Sequence, residues 1–512
     1  MKANRPVCLI IMDGFGRPED PKVSAINRDN TKYLQMLCKN YANSLLCASE
    51  EAVGLPKGQP GTSDVGHLTI GTGRVKYQPL VEINRSIEDG SFYSNEAFLK
   101  AIENAKGKGK SLHLVGIPSN GGVHSHIDHL FELIKLCAKH GLSNNVYIHF
   151  VSDGRDAPIR SGKEFLAQVL KVIKETGCGK IADIVGRVYA FDRDKNWDRV
   201  ELAYNAFVRG KGVQETDPMA AFDHAYEKGE TDEFINPIVM VDGAGKPVGL
   251  IKKGDSVISY DYRADRERQL AYAFDDTNTL PYTDKDLKLT YVCMTEYDEN
   301  LKNCLVAYPP KHLKHILSEV LQDRGYRQFK IAETEKFPYI TFAFNDGRIE
   351  PYENEDRVLV DSVKMKSYAG KPEMSAQKIA DEAEKAVRKN IYDCIVINFA
   401  NCDMVGHSGD KKATEIAVQT VNNCVEQVVE AVRQNNGVAI VTADHGNADI
   451  MEYPDGSPCT SHTKALVPVI IVDDKNKDLE LKHNGTLADI APTILKILGE
   501  KVPEEMTGTP LF

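Results

Sequence analysis

Six side chains able to ligate a metal ion are spread over four short polar segments of this 512-residue chain. Asp403 and His407 stand in N-C-D-M-V-G-H, Asp444 and His445 in T-A-D-H-G-N, His462 in C-T-S-H-T, and Asp13 closes an apolar run near the start. A single Asp or His after a strand is commonly a cap. The joint pattern is stronger, because separate strand-end loops all offer carboxylate or imidazole. Such donors without thiolate suit Mn²⁺, Zn²⁺ or Co²⁺, with Mg²⁺ less favoured by histidine. Six protein ligands are too many for one catalytic tetrahedral site, so two ions are the economical reading. Asp403 and His407, four apart, would share one helical face, whereas Gly406 argues for a loop that folds His407 back.

The segment GLPKGQPGTSDVGHLTIGTGR, residues 54–74, is a glycine-studded loop carrying Ser63, Asp64 and His67. Glycine-rich stretches are not diagnostic by themselves. What singles out Ser63 is the demand of phosphoryl chemistry. Phosphate-monoester cleavage needs accelerations of up to about 10²¹-fold, and a general base contributes only roughly 10²–10⁴. Metal coordination lowers the pKa of a bound water from about 15.7 to about 7, and an alcohol should respond similarly. Ser63 on one ion is therefore the favoured nucleophile, with the other ion clamping phosphate oxygens.

Elements must carry these residues to one place. Short apolar runs at 7–12, 112–117, 146–151, 181–189, 391–399, 438–442 and 467–472 read as strands, and 3.6-residue periodicity predicts helices at 127–140, 162–176, 312–323 and 414–434. The alternation predicts an α/β protein with mostly parallel sheets. Ligands in such sheets bind beyond the carboxyl ends of the strands, where Asp13, Asp153, Asp403 and Asp444 fall. Residues suited to metal lie near the start and in the last third, with arginine-bearing loops between. This predicts two α/β domains: a discontinuous metal-binding domain of 1–78 and 312–512, and a substrate-binding domain inserted at 79–311.

Composition narrows the function. With 42% hydrophobic and 27% charged residues the chain has the balance of a water-soluble globular protein. A net charge of -11 leaves no global basic field for nucleic acid, so an anionic substrate must be captured by local arginines. Eleven scattered cysteines without a C-x-x-C pair suit reduced thiols. The apolar run before Asp13, about six residues, is too short for a signal-peptide core or a spanning helix, and no other run reaches membrane length. A cytoplasmic enzyme with a small-molecule substrate is expected. With no exposed heptad or interface stripe, a monomer is expected.

Ten ordered segments covering essentially the whole chain resemble the cofactor-independent phosphoglycerate mutases, a branch of the alkaline phosphatase superfamily. They are I-M-D-G-F-G (11–16), G-T-S-D-V-G-H-L-T-I-G-T-G-R (61–74), G-G-V-H-S-H (121–126), S-D-G-R-D (152–156), G-R-V-Y-A-F-D-R-D (186–194), Y-R-A-D-R (262–266), A-E-T-E-K-F-P-Y-I-T-F-A-F-N (332–345), D-M-V-G-H (403–407), T-A-D-H-G-N (442–447) and M-T-G (506–508). The resemblance implies an alkaline-phosphatase-like metal domain with an inserted substrate domain. It implies interconversion of 3-phosphoglycerate and 2-phosphoglycerate, in glycolysis and gluconeogenesis, through a phosphoserine on Ser63 and without bisphosphoglycerate. It implies that Asp403, His407 and His462 hold one divalent metal, Mn²⁺ foremost, while Asp13, Ser63, Asp444 and His445 hold the other. Arg155, Arg187, Arg193, Arg263 and Arg266 are the arginines of the matching segments, suited to gripping carboxylate and phosphate. His124 and Asp156 match substrate and proton-handling positions, and Lys336 would neutralise phosphoryl charge in the transition state.

Departures from the family pattern are modest. Thr62-Ser63-Asp64 stands where Asn-Ser-Glu is common, and Cys402 where proline precedes the aspartate; the shorter Asp64 is expected to alter hydrogen bonds around the metals. Rival readings are a phosphopentomutase or phosphomonoesterase, which share the metal core but not G-G-V-H-S-H and Y-R-A-D-R, and a non-catalytic descendant, which would have lost a nucleophile or ligand. None is lost here.

Overall fold

A run such as Val7–Met12, apolar at every position, can be buried on both faces only in the interior of a covered sheet, and all six of its residues are buried. The computed structural model describes residues 5–512. The chain forms two compact units, one made of the residues up to Gln78 together with His312–Phe512, the other of Pro79–Lys311. Each is an α/β unit built on one eight-stranded sheet.

In the first unit the strand order is Glu355–Val360, Gln328–Glu333, Cys394–Phe399, Val7–Met12, Val438–Thr442, Val467–Val472, Ala42–Cys47 and Gly485–Thr486. The first five run parallel, and Val467–Val472 is antiparallel to both its neighbours. The long helices Ala376–Lys389 and Lys411–Gln434 cover these strands. Val7–Met12 is central, paired with Cys394–Phe399 on one side and Val438–Thr442 on the other. The three strands therefore finish side by side, each followed by a polar segment that carries site residues.

In the second unit the order is Cys304–Tyr308, Thr290–Thr295, Ser256–Ser259, Leu112–Gly116, Val146–Ser152, Lys180–Gly186, Ile238–Met240 and Val213–Glu215. Only the pairing of Lys180–Gly186 with Ile238–Met240 is antiparallel. Mostly parallel α/β architecture thus holds in both units. Among the described residues no helix is long and apolar enough to cross a membrane.

Element edges shift by three to five residues in four places, one being the helix expected from 414, which begins at Lys411. The strand expected over 181–189 ends at Gly186, and Arg187–Ala190 turns into a short helix. The strand expected from 391 begins at Cys394. The helix expected from 312 begins at Leu317, because His315 adopts a left-handed φ of 54°, which no right-handed helix accommodates.

The interior of the second unit holds fully buried imidazoles, among them His113, His129 and His149. His129, on the helix Ile127–Lys139, is fully buried with Nε2 2.8 Å from Asn84 Oδ1 and Nδ1 without a partner. Burial, with His126 nearby, pushes its pKa down to about 3 from an ordinary 6.5. Between those values the unfolded chain binds a proton that the folded one refuses. The stabilisation is full above pH 6.5 and is lost as pH falls. His129→Gln keeps a donor for Asn84 and cannot titrate. Urea unfolding at pH 7 and pH 5 should show the variant losing about 2 kcal/mol less than the wild type on acidification; equal losses would contradict this account.

Candidate functional site

Asp13 is the first residue after its strand, and its N–H donates to Phe399 O at 3.0 Å, which locks the two strand ends together. Gly14 follows at φ 77°, and a Cβ there would lie 2.7 Å from the backbone of Asp403. Only glycine lets these two carboxylate-bearing segments meet so closely. Asp444 lies two residues past Thr442; its Oδ1 accepts from the N–H groups of Gly14 at 3.2 Å and His445 at 3.0 Å.

Ser63 is not on an irregular loop. It opens the helix Ser63–Thr72, after Thr62 in extended conformation, so its hydroxyl sits where unpaired N–H groups and the positive end of the helix dipole favour an anion. The glycines of this segment serve close packing. A Cβ on Gly66 would lie 2.7 Å from the carbonyl of Asp444, and one on Gly61 2.9 Å from the Cβ of His445. The Ser63 hydroxyl is 3.3 Å from Asp13 Oδ1, 3.0 Å from His445 Nε2 and 2.7 Å from the Lys336 ammonium.

Lys336, in the turn after Gln328–Glu333, also reaches Asp13 Oδ1 at 2.7 Å and Asp403 Oδ2 at 2.6 Å. Burial alone would lower its pKa. The carboxylates of Asp13, Asp403 and Asp444 outweigh burial and raise it, so it remains an ammonium. Asp13 is pushed up by burial and by Asp444, against the pull of Lys336. Asp403 goes the other way: burial opposes its charge, but Lys336, His407 and His462 hold it well below the usual carboxylate range.

Asp403 and His407 do share a helical face. Asn401–Gly406 is helical and His407 caps it, so the expectation of a folded-back loop is corrected. Gly406 is there because Asn447 packs on it: a Cβ would lie 2.3 Å from Asn447 Oδ1, while Asn447 Nδ2 donates to Asp403 Oδ1 at 2.9 Å.

The imidazoles give the clearest test of whether cations fit. His407 and His462 each place Nδ1 2.8 Å from a backbone carbonyl, of Thr460 and Gly61 respectively. Nδ1 is therefore an N–H, and in the neutral ring, the form that binds a metal, Nε2 carries the lone pair; where no cation lies between them, Asp403 raises the pKa of both imidazoles. Those lone pairs face each other at 3.0 Å and lie 3.2 and 3.0 Å from Asp403 Oδ1. Three electron-rich atoms converging on one point suit a cation and little else. A second convergence surrounds Asp444 Oδ2, which is buried without a hydrogen-bond donor. Ligand atoms of Asp403, His445 and His462 all lie within 4.8 Å of one another, as do those of Asp13, His67 and Asp444.

The sequence reading named His67 without giving it a role, and it did not single out Asn398 or Asn447. Asn398 Nδ2 donates to Asp13 Oδ2 at 2.8 Å and meets His67 Nε2 at 2.9 Å. His67 Nδ1 lies 2.8 Å from Ser63 O and 3.2 Å from Asp444 Oδ2. Both nitrogens of His67 are thus committed within the protein. His67 and Asn447 belong to quoted motifs, which was the available signal; Asn398 lies inside an apolar strand and carried none. Asp64 is exposed and bonded to the Thr62 hydroxyl, so it faces away from the carboxylates it was expected to influence.

In the second unit the expected residues form a separate cluster at strand ends. Arg187, 1% exposed, donates through Nη1 to Asp153 Oδ1 and Asp156 Oδ2, both at 2.6 Å. Its Nε and Nη2 have no protein partner. A buried guanidinium with two unused donors is built to receive an anion. Arg263 and Arg193 reach Asp265 at 3.0 and 3.4 Å, and Arg155 reaches Glu233 at 3.5 Å. Arg266 donates to Phe191 O, and its pKa is lowered by burial and by Arg187, Arg193 and Arg155 around it. His124 lies 3.8 Å from Asp156 and 4.0 Å from Asp265; burial and Arg187 bring its pKa down to about 4, so it is neutral at pH 7. Asp153 and Asp265, the carboxylates that aim the arginines, were present in the quoted motifs but not chosen.

A serine at a helix start among strand-end carboxylates and imidazoles, on a largely parallel sheet, defines an alkaline-phosphatase-like unit, and the family described as type I phosphodiesterase / nucleotide pyrophosphatase matches residues 301–501. The family described as BPG-independent PGAM N-terminus matches residues 83–299. The chain is 45% identical to the 2,3-bisphosphoglycerate-independent phosphoglycerate mutase of Clostridium novyi, covering 100% of both chains. It is 45% identical to that of Moorella thermoacetica, over 99% of this chain and 98% of the other. The solved structure of Leishmania mexicana phosphoglycerate mutase at low cobalt concentration matches with a TM-score of 0.56 and 30% identity, over 100% of this chain and 99% of that one. The chain belongs to the 2,3-bisphosphoglycerate-independent phosphoglycerate mutases and interconverts 3-phosphoglycerate and 2-phosphoglycerate.

The fit of Gly66 against Asp444 gives a direct check on this packing. Gly66→Ala should cost about 1–3 kcal/mol through overpacking and lower mutase activity, because the displaced atoms are the Asp444 backbone. A melting temperature and turnover equal to wild type would show that the helix start is not constrained as described.

Proposed function

We propose that Ser63 is the nucleophile, taking the phosphoryl group from one hydroxyl of glycerate and returning it to the other, with two divalent ions beside it. Asp403, His407 and His462 would hold one ion, and Asp13, Ser63, Asp444 and His445 the other, with Mn²⁺ the favoured metal and Co²⁺, Zn²⁺ or Mg²⁺ the alternatives. Bound there, the ions would supply Lewis acidity, lowering the hydroxyl pKa and screening phosphoryl oxygens. The observation that carries this reading is the lone-pair convergence of His407, His462 and Asp403 close to a buried serine at a helix start.

The chain's own groups supply the rest. The Lys336 ammonium touches the Ser63 oxygen, so it stabilises developing alkoxide and the negative charge of a transferring phosphoryl group. The hydroxyl hydrogen has Asp13 Oδ1 and His445 Nε2 as acceptors. Ser63 Oγ attacks phosphorus as the bond to the glycerate oxygen breaks, and that oxygen takes up a proton. The bound glycerate then presents its other hydroxyl, which loses a proton, attacks the phosphoserine and frees Ser63.

In the second unit Arg187, Arg155, Arg193, Arg263 and Arg266 would hold carboxylate and phosphate. Neutral His124, with Asp156 beside it, would carry protons between the glycerate oxygens. The same reading has a monomer working in the cytoplasm; the eleven cysteines, all unpaired, support the reducing compartment.

In an assay coupled to enolase, Ser63→Ala should lower kcat by at least about 10³-fold, and wild-type enzyme quenched during turnover should yield a peptide phosphorylated at Ser63. Full turnover by the alanine variant would exclude the covalent route. Chelator treatment should abolish the activity and Mn²⁺ should restore it, with metal analysis reading two ions per chain. Undiminished activity in metal-free protein would reject the proposed ions.

A further inference from the structure

The loop that carries His124 is held from one side by a short stretch of chain that contributes no substrate group. Tyr262 N–H donates to His124 O at 2.7 Å, and the Tyr262 hydroxyl donates to Gly122 O at 2.7 Å with Ser125 O at 3.4 Å. The neighbouring Asp261 takes the Ile117 N–H on Oδ1 at 3.0 Å, where the loop leaves its strand. Ile117 O in turn accepts the Ser125 hydroxyl, which closes the loop on itself. Four points between 117 and 125 are therefore fixed by two adjacent residues.

Asp261 raises a question of charge. It is 0% exposed, as is Glu267, and burial together with the Asp261 charge nearby pushes the Glu267 pKa well up. Asp261 Oδ2 and Glu267 Oε1 are both buried without a hydrogen-bond partner, while Glu267 Oε2 accepts the Ser259 hydroxyl at 2.8 Å. The groups facing the pair are the hydroxyls of Tyr260, Tyr291 and Tyr297, the Cys293 thiol and, as the one cation, Arg187. Two buried carboxylates with so little compensation do not both ionise.

We propose that Asp261 and Glu267 share one proton between Oδ2 and Oε1, and that this pair and Tyr262 are positioning residues that hold the 117–125 loop, and so His124, in its working place. The inference rests on the reading of His124 as a substrate-side residue. A loosened loop must be ordered anew each time substrate binds, so the cost falls on KM more than on kcat.

The test is steady-state kinetics of the full-length, metal-loaded enzyme. Tyr262→Phe keeps the ring and removes the hydroxyl; KM for 3-phosphoglycerate should rise about tenfold, the worth of one buried hydrogen bond, with kcat within about twofold. Glu267→Gln places an amide hydrogen where the shared proton lay and should stay within about twofold of wild type in both constants. Glu267→Met leaves Asp261 Oδ2 without the shared proton and should raise KM as Tyr262→Phe does. An unchanged KM in Tyr262→Phe, or Glu267→Gln as damaging as Glu267→Met, would overturn the proposal; if Glu267→Met does not fold, Tyr262→Phe decides. His124→Gln separates the two layers. Wild-type kinetics in that variant would sink the reading of His124, whereas a damaged His124→Gln beside an unaltered Tyr262→Phe would sink the clamp alone.

Discussion

Three carboxylates, Asp13, Asp403 and Asp444, lie within reach of one another at 0–2% exposure, and among the described residues the ammonium in direct contact with Asp13 and Asp403 is that of Lys336. Buried like charges repel strongly in a medium that cannot screen them, and a single cation cannot balance three anions. The sheet holds them there because three parallel strands end together and each continues into a carboxylate-bearing segment. The remainder of the site follows from that forced proximity. Carbonyl tethers turn the histidine lone pairs inward, the amides of Asn398 and Asn447 fix the carboxylate oxygens, and the start of a helix presents Ser63 to the same point. The arrangement is a vessel for positive charge, which is what transfer of a phosphoryl group between oxygens requires.

Close approach is the second constraint. Gly14, Gly66 and Gly406 occupy positions where a side-chain carbon would strike Asp403, Asp444 or Asn447. Their role is to let three polar segments from remote parts of the chain come within hydrogen-bonding distance. The glycine-studded segment is accordingly rigid helix from Ser63 onward, where composition alone suggests a flexible loop.

The second unit meets the opposite electrostatic problem. Five arginines gathered at strand ends repel one another; Asp153, Asp156, Asp265 and Glu233 hold four of them in position and the Phe191 carbonyl holds Arg266, while nitrogens of Arg187 are left unused. Partial compensation is the useful state. Full pairing would leave nothing for a substrate anion, and none would scatter the side chains. Neutral His124 beside this positive cluster follows from the same field, since both burial and Arg187 disfavour its proton.

The sequence by itself determined the α/β class, through apolar runs alternating with helical periodicity. It also placed Asp13, Asp403, Asp444 and the five arginines at strand ends, because those signals are local and survive in a linear reading. Only the tertiary structure decided that Asp403 and His407 stand on one helix turn, that Asp64 faces solvent, and that His67, Asn398, Asn447, Asp153 and Asp265 complete the clusters. These depend on which residue of a distant segment lies opposite. Asn398 looks like one more position of a buried strand until that strand is laid beside Val7–Met12 and its amide meets Asp13. A side chain's partner across a sheet is set by strand order and register, which no spacing along the chain records.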